Sequence, residues 1–234
     1  MKKSADPPLS PPPDVVIIED DLLFQQSLAR MLRSQGYAPM VYGSMAEFKA
    51  AGAVPQTGCV ILDLNLPGAD GLQIQEELAK SAPSLSIVFL TGFGKVSSSV
   101  RAMKSGAVDF FEKPVDDSVL RDAVKRAIDR SVSLDRSRAE VVKLLARYRR
   151  LTTREREVFA LITSGLLNKQ AAAELQITEK TVKVHRGRVM QKMEAGSLAD
   201  LVRFAEGIWS NSNSANQGAA DSCDGRAVAR RETR

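Results

Sequence analysis

Short apolar runs alternate with amphipathic segments along the first half of the chain. Apolar residues in the intervening segments recur at helical spacing, and the pair Ser44 and Glu47 forms a capping box that opens one of the predicted helices. Strands that alternate with helices five times predict a parallel sheet with helices on both faces, which is a doubly wound α/β fold. The predicted strands are 15–18, 38–42, 59–63, 85–90 and 107–111.

The strand from Cys59 to Asp63 ends in a carboxylate and is followed by the turn Pro67-Gly68. Ligands of open α/β sheets gather at the carboxyl ends of the strands, which is where Asp63 is placed. Asp63 is therefore the first candidate for a functional residue. The alternative at this point is that Asp63 only caps the turn that follows it.

Other polar side chains follow the other predicted strands. They are Glu19 and Asp20 after the first strand, Thr91 after the fourth, and Lys113 followed by Pro114 after the fifth. Three carboxylates in one crevice repel each other unless a cation lies between them, and hard oxygen ligands suit Mg²⁺. A lysine and a hydroxyl group beside that ion would bind the oxygens of a phosphoryl group. The site is predicted to carry a phosphate on Asp63.

These separated residues agree in order and spacing with one known domain. Residues 14 to about 130 resemble the receiver domain of two-component response regulators, which implies a flavodoxin-like fold with Asp63 as the phosphoacceptor. Further roles follow from the resemblance alone. It implies an Mg²⁺ site formed by Glu19, Asp20, Asp63 and the backbone carbonyl of Asn65, contacts to the phosphoryl group from Thr91 and Lys113, and Phe110 as the aromatic residue whose rotamer reports phosphorylation. Glu19 replaces the commoner aspartate.

Each of these residues also has an ordinary structural explanation when it is taken alone. Lys113 suits a solvated turn, Thr91 suits a strand end, and Phe110 suits the core. A phosphatase of the haloacid dehalogenase kind is one rival, but it needs a second acid two residues after the nucleophile, where this chain has Asn65. A receiver that switches through protein contacts without phosphate is the other rival.

A helical linker is predicted over residues 131–149, after a helix that begins at Asp116 or Asp117 and runs to about Arg130. Four apolar or aromatic positions and one arginine fall there at alternating steps of four and three, which is a heptad seam of about two heptads. Such a helix either pairs with a second copy or lies on its neighbours. The seam consists of Leu134, Arg138, Val141, Leu145 and Tyr148.

The next segment contains helical patterns separated by turns. Thr152 and Glu155 form a second capping box, a short alanine-rich helix starts at Asn168, and a basic helix follows Thr178. A fourth helix is predicted to begin at Ser197. Two short helices joined by a tight turn, the second of them basic, predict a helix-turn-helix.

The basic helix has two distinct faces. At 100° per residue, Val182, His185, Val189 and Met193 share one stripe, which is predicted to pack inward. His185, the only histidine, is therefore interpreted as a packing residue. The opposite face is cationic and contains a glycine, which permits close approach to a duplex groove. The predicted DNA-binding residues are Lys180, Thr181, Lys183, Val184, Arg188 and Gln191.

This second half resembles the LuxR/NarL-type output domain over residues 150–208. The resemblance rests on Leu151-Thr152, Arg154-Glu155, Asn168-Lys169 and the segment from Thr181 to His185. Ala171 stands where that family usually has a larger aliphatic residue, and Gln176 stands where glycine is frequent. With a receiver in front, the nearest subgroup is the FixJ-like regulators. The resemblance implies a transcription factor and not an enzyme, with a sensor histidine kinase, promoter DNA, a second copy of the chain and RNA polymerase as its partners.

Composition and charge agree with a two-domain protein. The chain has 234 residues, and 44% of them are hydrophobic and 26% charged, as in ordinary globular proteins. Residues 14–129 carry 15 acidic against 11 basic side chains, whereas residues 130–209 carry 9 against 16, so the second half suits a polyanionic partner. No apolar run approaches the ~18 residues of a membrane span, and a cytoplasmic protein is predicted.

The sequence therefore predicts five consecutive segments. They are a disordered proline-rich arm (1–13), a receiver domain (14–130), a helical linker (131–149), a helix-turn-helix domain (150–208) and a disordered tail (209–234).

Overall fold

The computed structural model of the protein describes residues 14–52, 54–92 and 95–220. The chain divides between Arg136 and Ser137 into two compact units. Among the described residues, no helix is both long enough and apolar enough to cross a membrane. The predicted proline-rich arm and residues 221–234 of the predicted tail lie outside the described residues.

The first unit contains a parallel sheet flanked by helices. Its strands are β1 (Asp14–Ile18), β2 (Met40–Tyr42), β3 (Gly58–Asp63), β4 (Ser86–Thr91) and β5 (Asp109–Glu112). Its helices are α1 (Leu22–Ser34), α2 (Met45–Ala50), α3 (Gly71–Ser81), α4 (Val96–Lys104) and α5 (Asp117–Arg149). The strand order is β2-β1-β3-β4-β5, and all neighbouring strands are parallel. The predicted doubly wound fold is confirmed.

Both faces of this sheet are covered by apolar side chains. Val16 and Val60 belong to the cluster on one face, whereas Ile17 and Ile61 belong to the cluster on the other. Successive residues of a strand point to opposite faces, so one uninterrupted apolar run supplies both layers. This is why the central strands are continuous apolar runs rather than alternating ones.

Side-chain caps begin several of the helices, at the predicted Ser44 and at Asp21, for which no cap was predicted. Asp21 accepts hydrogen bonds from the backbone N–H groups of Leu23 and Phe24, at 2.9 and 3.1 Å, and so begins α1. Ser44 accepts a hydrogen bond from the Glu47 N–H at the start of α2. The return hydrogen bond of the predicted capping box is shifted, because the Glu47 carboxylate accepts from the N–H of Gly43.

Helix α5 is longer than predicted, since the expected helix to about Arg130 and the expected linker 131–149 form one continuous helix of 33 residues. No glycine or proline occurs in this segment, so nothing in the sequence interrupts its backbone hydrogen bonds. Ser131 is buried where the two predicted segments join. Its hydroxyl oxygen accepts a hydrogen bond from the N–H of Gly58 at 2.7 Å, and the hydroxyl donates to the carbonyl oxygen of Ser84 at 2.6 Å.

The second unit contains the carboxyl-terminal end of α5 and helices α6 (Thr153–Thr163), α7 (Asn168–Glu174), α8 (Glu179–Met193) and α9 (Leu198–Ala220). Its core includes Phe159, Val182 and Val189, which are fully buried. Leu145 and Tyr148 of the predicted heptad seam pack against this core. These two seam residues of α5 therefore pack against neighbouring helices of the same chain.

Helix α9 continues to Ala220, beyond the predicted end of the output domain at 208. Helix α9 therefore extends into the segment 209–234, for which a disordered tail was predicted. Residues 209–220 contain no proline, and their one glycine, Gly218, lies in the last turn, so no proline interrupts the backbone hydrogen bonds of this segment. Trp209 also anchors this part of the helix, because its ring lies 6.4 Å from the ring of the buried Phe159.

Candidate functional site

A cluster of three carboxylates lies at the carboxyl edge of the sheet. Glu19 and Asp20 follow β1 and Asp63 ends β3, and these strands are neighbours at the point where the strand order reverses. One carboxylate oxygen from each of the three residues lies within 4.8 Å of the others. Glu19 and Asp63 are 2% and 7% exposed, while Asp20 faces solvent. The predicted acids are thus brought together, with one of them open to an incoming ligand.

Lys113 forms ion pairs with two of these acids. Its Nζ lies 2.6 Å from Oε2 of Glu19 and 2.7 Å from Oδ2 of Asp63. The backbone N–H of Lys113 donates a hydrogen bond to the carbonyl oxygen of Thr91 at 2.8 Å, and a cis peptide bond joins Lys113 to Pro114. The lysine predicted to contact a phosphoryl group is therefore placed directly at the predicted phosphoacceptor.

Burial and pairing shift the pKa values of this cluster. Burial raises the pKa of Glu19 above its usual value, even though the hydrogen bond from Lys113 acts in the opposite direction. Burial would lower the pKa of Lys113, but its hydrogen bonds to Asp63 and Glu19 outweigh burial, and the net direction is upward. Lys113 therefore remains a cation at neutral pH.

Asn65 connects the acid cluster to Thr91. Its backbone N–H donates to Oδ1 of Asp63 at 2.9 Å, and its side-chain amide donates to the hydroxyl oxygen of Thr91, also at 2.9 Å. Gly71 lets α3 approach this loop, since a Cβ atom on it would lie 2.9 Å from the Cα atom of Leu64. From the sequence, Asn65 was expected to contribute only its backbone carbonyl. Its amide contact to Thr91 was missed because that contact depends on the spacing between two strands.

Two aromatic residues, Phe110 and Phe24, differ in their relation to this cluster. Phe110 is half-buried, with its ring 6.0 Å from that of Phe89, and it lines an open pocket of about 280 Å³ beside α4. Phe24, which the sequence analysis did not select, lies with its ring centroid 4.5 Å from Nζ of Lys113. Phe24 directly follows an apolar pair in an amphipathic helix, so its sequence context marks it only as a packing residue.

Helix α8 presents the predicted basic face to solvent. Val182, Val189 and Met193 are fully buried, as the helical periodicity predicted. His185 is half-buried, and its Nδ1 atom lies among protein atoms, which agrees with a packing role. Of the predicted DNA-binding residues, Thr181 is half-buried and bonded to Thr178, and the others are exposed. The exposed members are Lys180, Lys183, Val184, Arg188 and Gln191.

The helices around α8 are held by polar contacts as well as by apolar packing. Glu155, buried at the start of α6, completes the predicted capping box with Thr152 and accepts a hydrogen bond from Nζ of Lys192 on α8 at 2.7 Å. Gln176, in the turn between α7 and α8, has a φ of +53°, the left-handed conformation for which glycine is favoured. The turn therefore keeps its shape with glutamine at this position.

Comparison with known families assigns both units. The family model described as response regulator receiver domain matches residues 15–125, and the model described as bacterial regulatory proteins, luxR family, matches residues 149–205. The chain is 42% identical to Nodulation protein W of Bradyrhizobium diazoefficiens over 87% of this chain and 89% of that protein. The chain belongs to the two-component response regulators with a LuxR-type output domain.

Other response regulators support this assignment. The transcriptional regulatory protein FixJ of Azorhizobium caulinodans is 41% identical over 82% of this chain and 90% of its own length. The solved structure of the response regulator StyR has a TM-score of 0.70 at 37% identity and covers 82% of this chain and 98% of its own. Full-length FixJ from B. japonicum has a TM-score of 0.51 at 34% identity, over 85% and 98% of the two chains. This response regulator is therefore a DNA-binding regulator of transcription and not an enzyme, and the haloacid dehalogenase alternative is excluded.

Proposed function

We propose that a sensor histidine kinase phosphorylates this response regulator on Asp63 and that the phosphorylated form dimerises and binds promoter DNA. The observation that carries the proposal is the environment of Asp63, a buried carboxylate 2.7 Å from the Lys113 ammonium group and beside two further acids. A carboxylate in this position is a nucleophile whose product, an acyl phosphate, would meet Lys113 and Thr91. The phosphate-independent receiver remains the competing hypothesis.

An Mg²⁺ ion would be held by Glu19, Asp20, Asp63 and the backbone carbonyl of Asn65. The donor set fits, because oxygen ligands from carboxylates and a carbonyl suit this hard cation and three acids exceed the single charge of Lys113. When bound, the ion supplies positive charge that stabilises the oxygens of the transferring phosphoryl group. Asp20, the exposed acid, faces the side from which the ion and the phosphodonor would enter.

The kinase would approach along the start of α1. Leu22 and Leu23 directly follow the acidic residues and are 65% and 80% exposed. Two adjacent exposed leucines next to a charged pocket form an apolar surface on which a partner helix could dock while its phosphorylated side chain reaches Asp63.

Dimerisation would use the exposed face of α4. Val96, Val100 and Met103 lie at spacings of four and three on that helix, and all three are exposed. The neighbouring Phe110 lines the pocket beside Val96. A phosphoryl group that moves Thr91 and Lys113 would change the space available to Phe110 and thereby alter this apolar face. Contact with RNA polymerase remains a prediction without an assigned surface.

DNA binding would use the exposed face of α8, through Lys180, Thr181, Lys183, Val184, Arg188 and Gln191. Two copies of the chain would present two such helices to half-sites roughly one helical turn apart. This arrangement makes DNA affinity depend on dimerisation, and hence on Asp63.

Sedimentation and DNA binding of the full chain, each with and without acetyl phosphate and Mg²⁺, test the proposal. We expect an acid-labile, hydroxylamine-sensitive acyl phosphate, a higher mass and tighter binding, and we expect Asp63→Asn to abolish all three. Undiminished labelling of Asp63→Asn would mean that another residue is the acceptor. An unchanged mass and affinity of the labelled protein would overturn the phosphoswitch and favour control by protein contacts.

A further inference from the structure

Within the part of the chain that the structure describes, three side chains lie close to the ammonium group of Lys113, and one of them is aromatic. Glu19 and Asp63 approach it through oxygens at 2.6 and 2.7 Å, and the ring of Phe24 lies with its centroid 4.5 Å away. A cation within about 6 Å of an aromatic face is attracted by the negative potential of the ring. Phe24 thus forms the uncharged wall of the pocket that holds Lys113.

The ring of Phe24 is fixed to the pocket through the first turn of α1. The backbone N–H of Phe24 donates a hydrogen bond to Oδ1 of Asp21 at 3.1 Å. The side-chain amide of the neighbouring Gln25 donates to the backbone carbonyl oxygen of Glu19 at 3.0 Å. The half-buried Phe24 side chain also packs against the apolar layer beneath α1. Backbone, amide and ring contacts therefore hold Phe24 in place relative to the acid cluster.

Phosphorylation of Asp63 would change the charged partners of Lys113 but would leave its contact with the Phe24 ring in place. In transfer from acetyl phosphate, an oxygen of the Asp63 carboxylate attacks phosphorus, the bond from phosphorus to the acetyl oxygen breaks, and acetate leaves with the electron pair of that bond. Asp63 loses its negative charge, and the phosphoryl oxygens become the new acceptors for the ammonium group. Of the three neighbours of Lys113, Phe24 is the one whose interaction does not depend on the charge of a carboxylate.

We propose that Phe24 is a positioning residue for phosphoryl transfer. Its ring holds the Lys113 ammonium group at Asp63 while the charged partner changes from a carboxylate to a phosphoryl group. The inference rests on the proposed function of Asp63 as the phosphoacceptor. The proposed role adds a residue of helix α1 to a pocket whose other residues lie at or just after the carboxyl ends of the strands.

The test is the rate at which the full-length protein is labelled by acetyl phosphate in the presence of Mg²⁺, followed by mass spectrometry. Phe24→Leu keeps an apolar side chain but removes the aromatic face, and we expect about three- to tenfold slower labelling. Phe24→Tyr keeps the face and should restore the rate. Phe111→Leu is the matched control, because Phe111 packs against the same apolar layer and, among the described residues, no cation lies over its ring. This control should be labelled at the wild-type rate.

A second comparison separates positioning from mere packing. In a Lys113→Met background the substitution Phe24→Leu should have no further effect, since the two side chains act as one unit. The ring of Phe24 is expected to displace the side-chain methylene resonances of Lys113 in the wild-type protein, and these resonances should shift in Phe24→Leu. The role of Phe24 would be overturned if Phe24→Leu were labelled at the wild-type rate, or if Phe111→Leu lost as much labelling rate as Phe24→Leu. It would also be overturned if Phe24→Leu caused the same loss of rate in the Lys113→Met background, or if the Lys113 resonances did not shift. If the wild-type protein takes no label at all, the proposed function fails, and the role of Phe24 with it.

Discussion

Asn65 stands between the phosphoacceptor and the hydroxyl that is proposed to follow the phosphate. Its amide donates to the Thr91 hydroxyl oxygen at 2.9 Å, while its backbone is bonded to Asp63. A movement of Thr91 toward a phosphoryl group on Asp63 stretches the amide contact, and hydrogen bonds weaken steeply with distance. If Asp63 is phosphorylated as proposed, Asn65 stabilises the arrangement of the unphosphorylated protein.

Replacing Asn65 with alanine is expected to favour the phosphorylated form. A hydrogen bond makes a net contribution of about 0.5–1.5 kcal/mol. The ratio of phosphorylated to unphosphorylated protein at limiting acetyl phosphate should therefore rise about two- to twelvefold. Mass spectrometry of the intact chain gives this ratio directly. In a Thr91→Val background the same substitution should change nothing, and an equal gain there would show that the effect does not pass through the Thr91 hydroxyl.

At the scale of elements, α6 and α8 are joined by Glu155. This buried carboxylate caps α6 and pairs with Lys192 of α8, and the hydrogen bond from Lys192 is the main cause that lowers its pKa below the usual 4.5. The contribution of Glu155 to stability is fully present above the pKa of the unfolded chain. It is lost as the pH falls through the lowered pKa of the folded protein.

We expect Glu155→Gln to destabilise the output domain by about 1–3 kcal/mol at pH 7 and to reduce its loss of stability in acid. Urea unfolding followed by tryptophan fluorescence measures this domain selectively, because Trp209 is the single tryptophan and lies against Phe159. Glu157→Gln is the control, since Glu157 pairs with Arg154 on the surface and should contribute less than about 0.5 kcal/mol. Equal losses in both variants would contradict the assigned role of Glu155.

The exposed face of α8 gives a prediction about DNA. Arg188→Ala is expected to weaken DNA binding. If Arg188 contacts a phosphate, the slope of log affinity against log salt concentration should fall by about one. If it contacts a base, the loss should be roughly 1–3 kcal/mol at one position of the site. Titrations of promoter DNA at several salt concentrations distinguish these outcomes, and Lys183→Ala can be compared in the same way. Arg203→Ala, on α9 and paired with Asp200, should leave affinity unchanged. Unchanged binding by both α8 variants would mean that another helix contacts the groove.

The elements and the pocket were predictable for one physical reason. Continuous apolar runs identified the strands, and the rule that parallel strands share one carboxyl edge brought Glu19 to Lys113 across 94 residues of sequence. The contacts of Phe24 and the amide of Asn65 were missed because they depend on how far side chains reach between neighbouring elements. The end of α5 was misplaced because charged or polar composition does not end a helix when no glycine or proline interrupts it. The end of α9 was misplaced because an isolated glycine such as Gly207 weakens a helix without ending it.

At the scale of the whole molecule, one helix serves both units. Residues Leu120 and Val124 of α5 are buried in the receiver core, whereas Leu145 and Tyr148 pack in the core of the output domain. The resemblance to receiver domains and the expected end of the last helix placed the boundary of the receiver at residue 130. The structure divides the chain after Arg136 instead.

The hydroxyl of Ser131 decides where this protein can be shortened. A fragment that ends at residue 130 leaves the N–H of Gly58 and the carbonyl of Ser84 buried without the partner they share, and each such loss costs about 1–3 kcal/mol. A fragment that ends at residue 136 keeps both bonds, so its thermal midpoint should be higher by about 5–15 °C. Ser131→Ala in the longer fragment should remove much of that advantage, and equal midpoints for all three proteins would contradict the assignment. The last residue that the receiver needs thus lies beyond its last predicted helix, in a segment that sequence alone assigns to the linker.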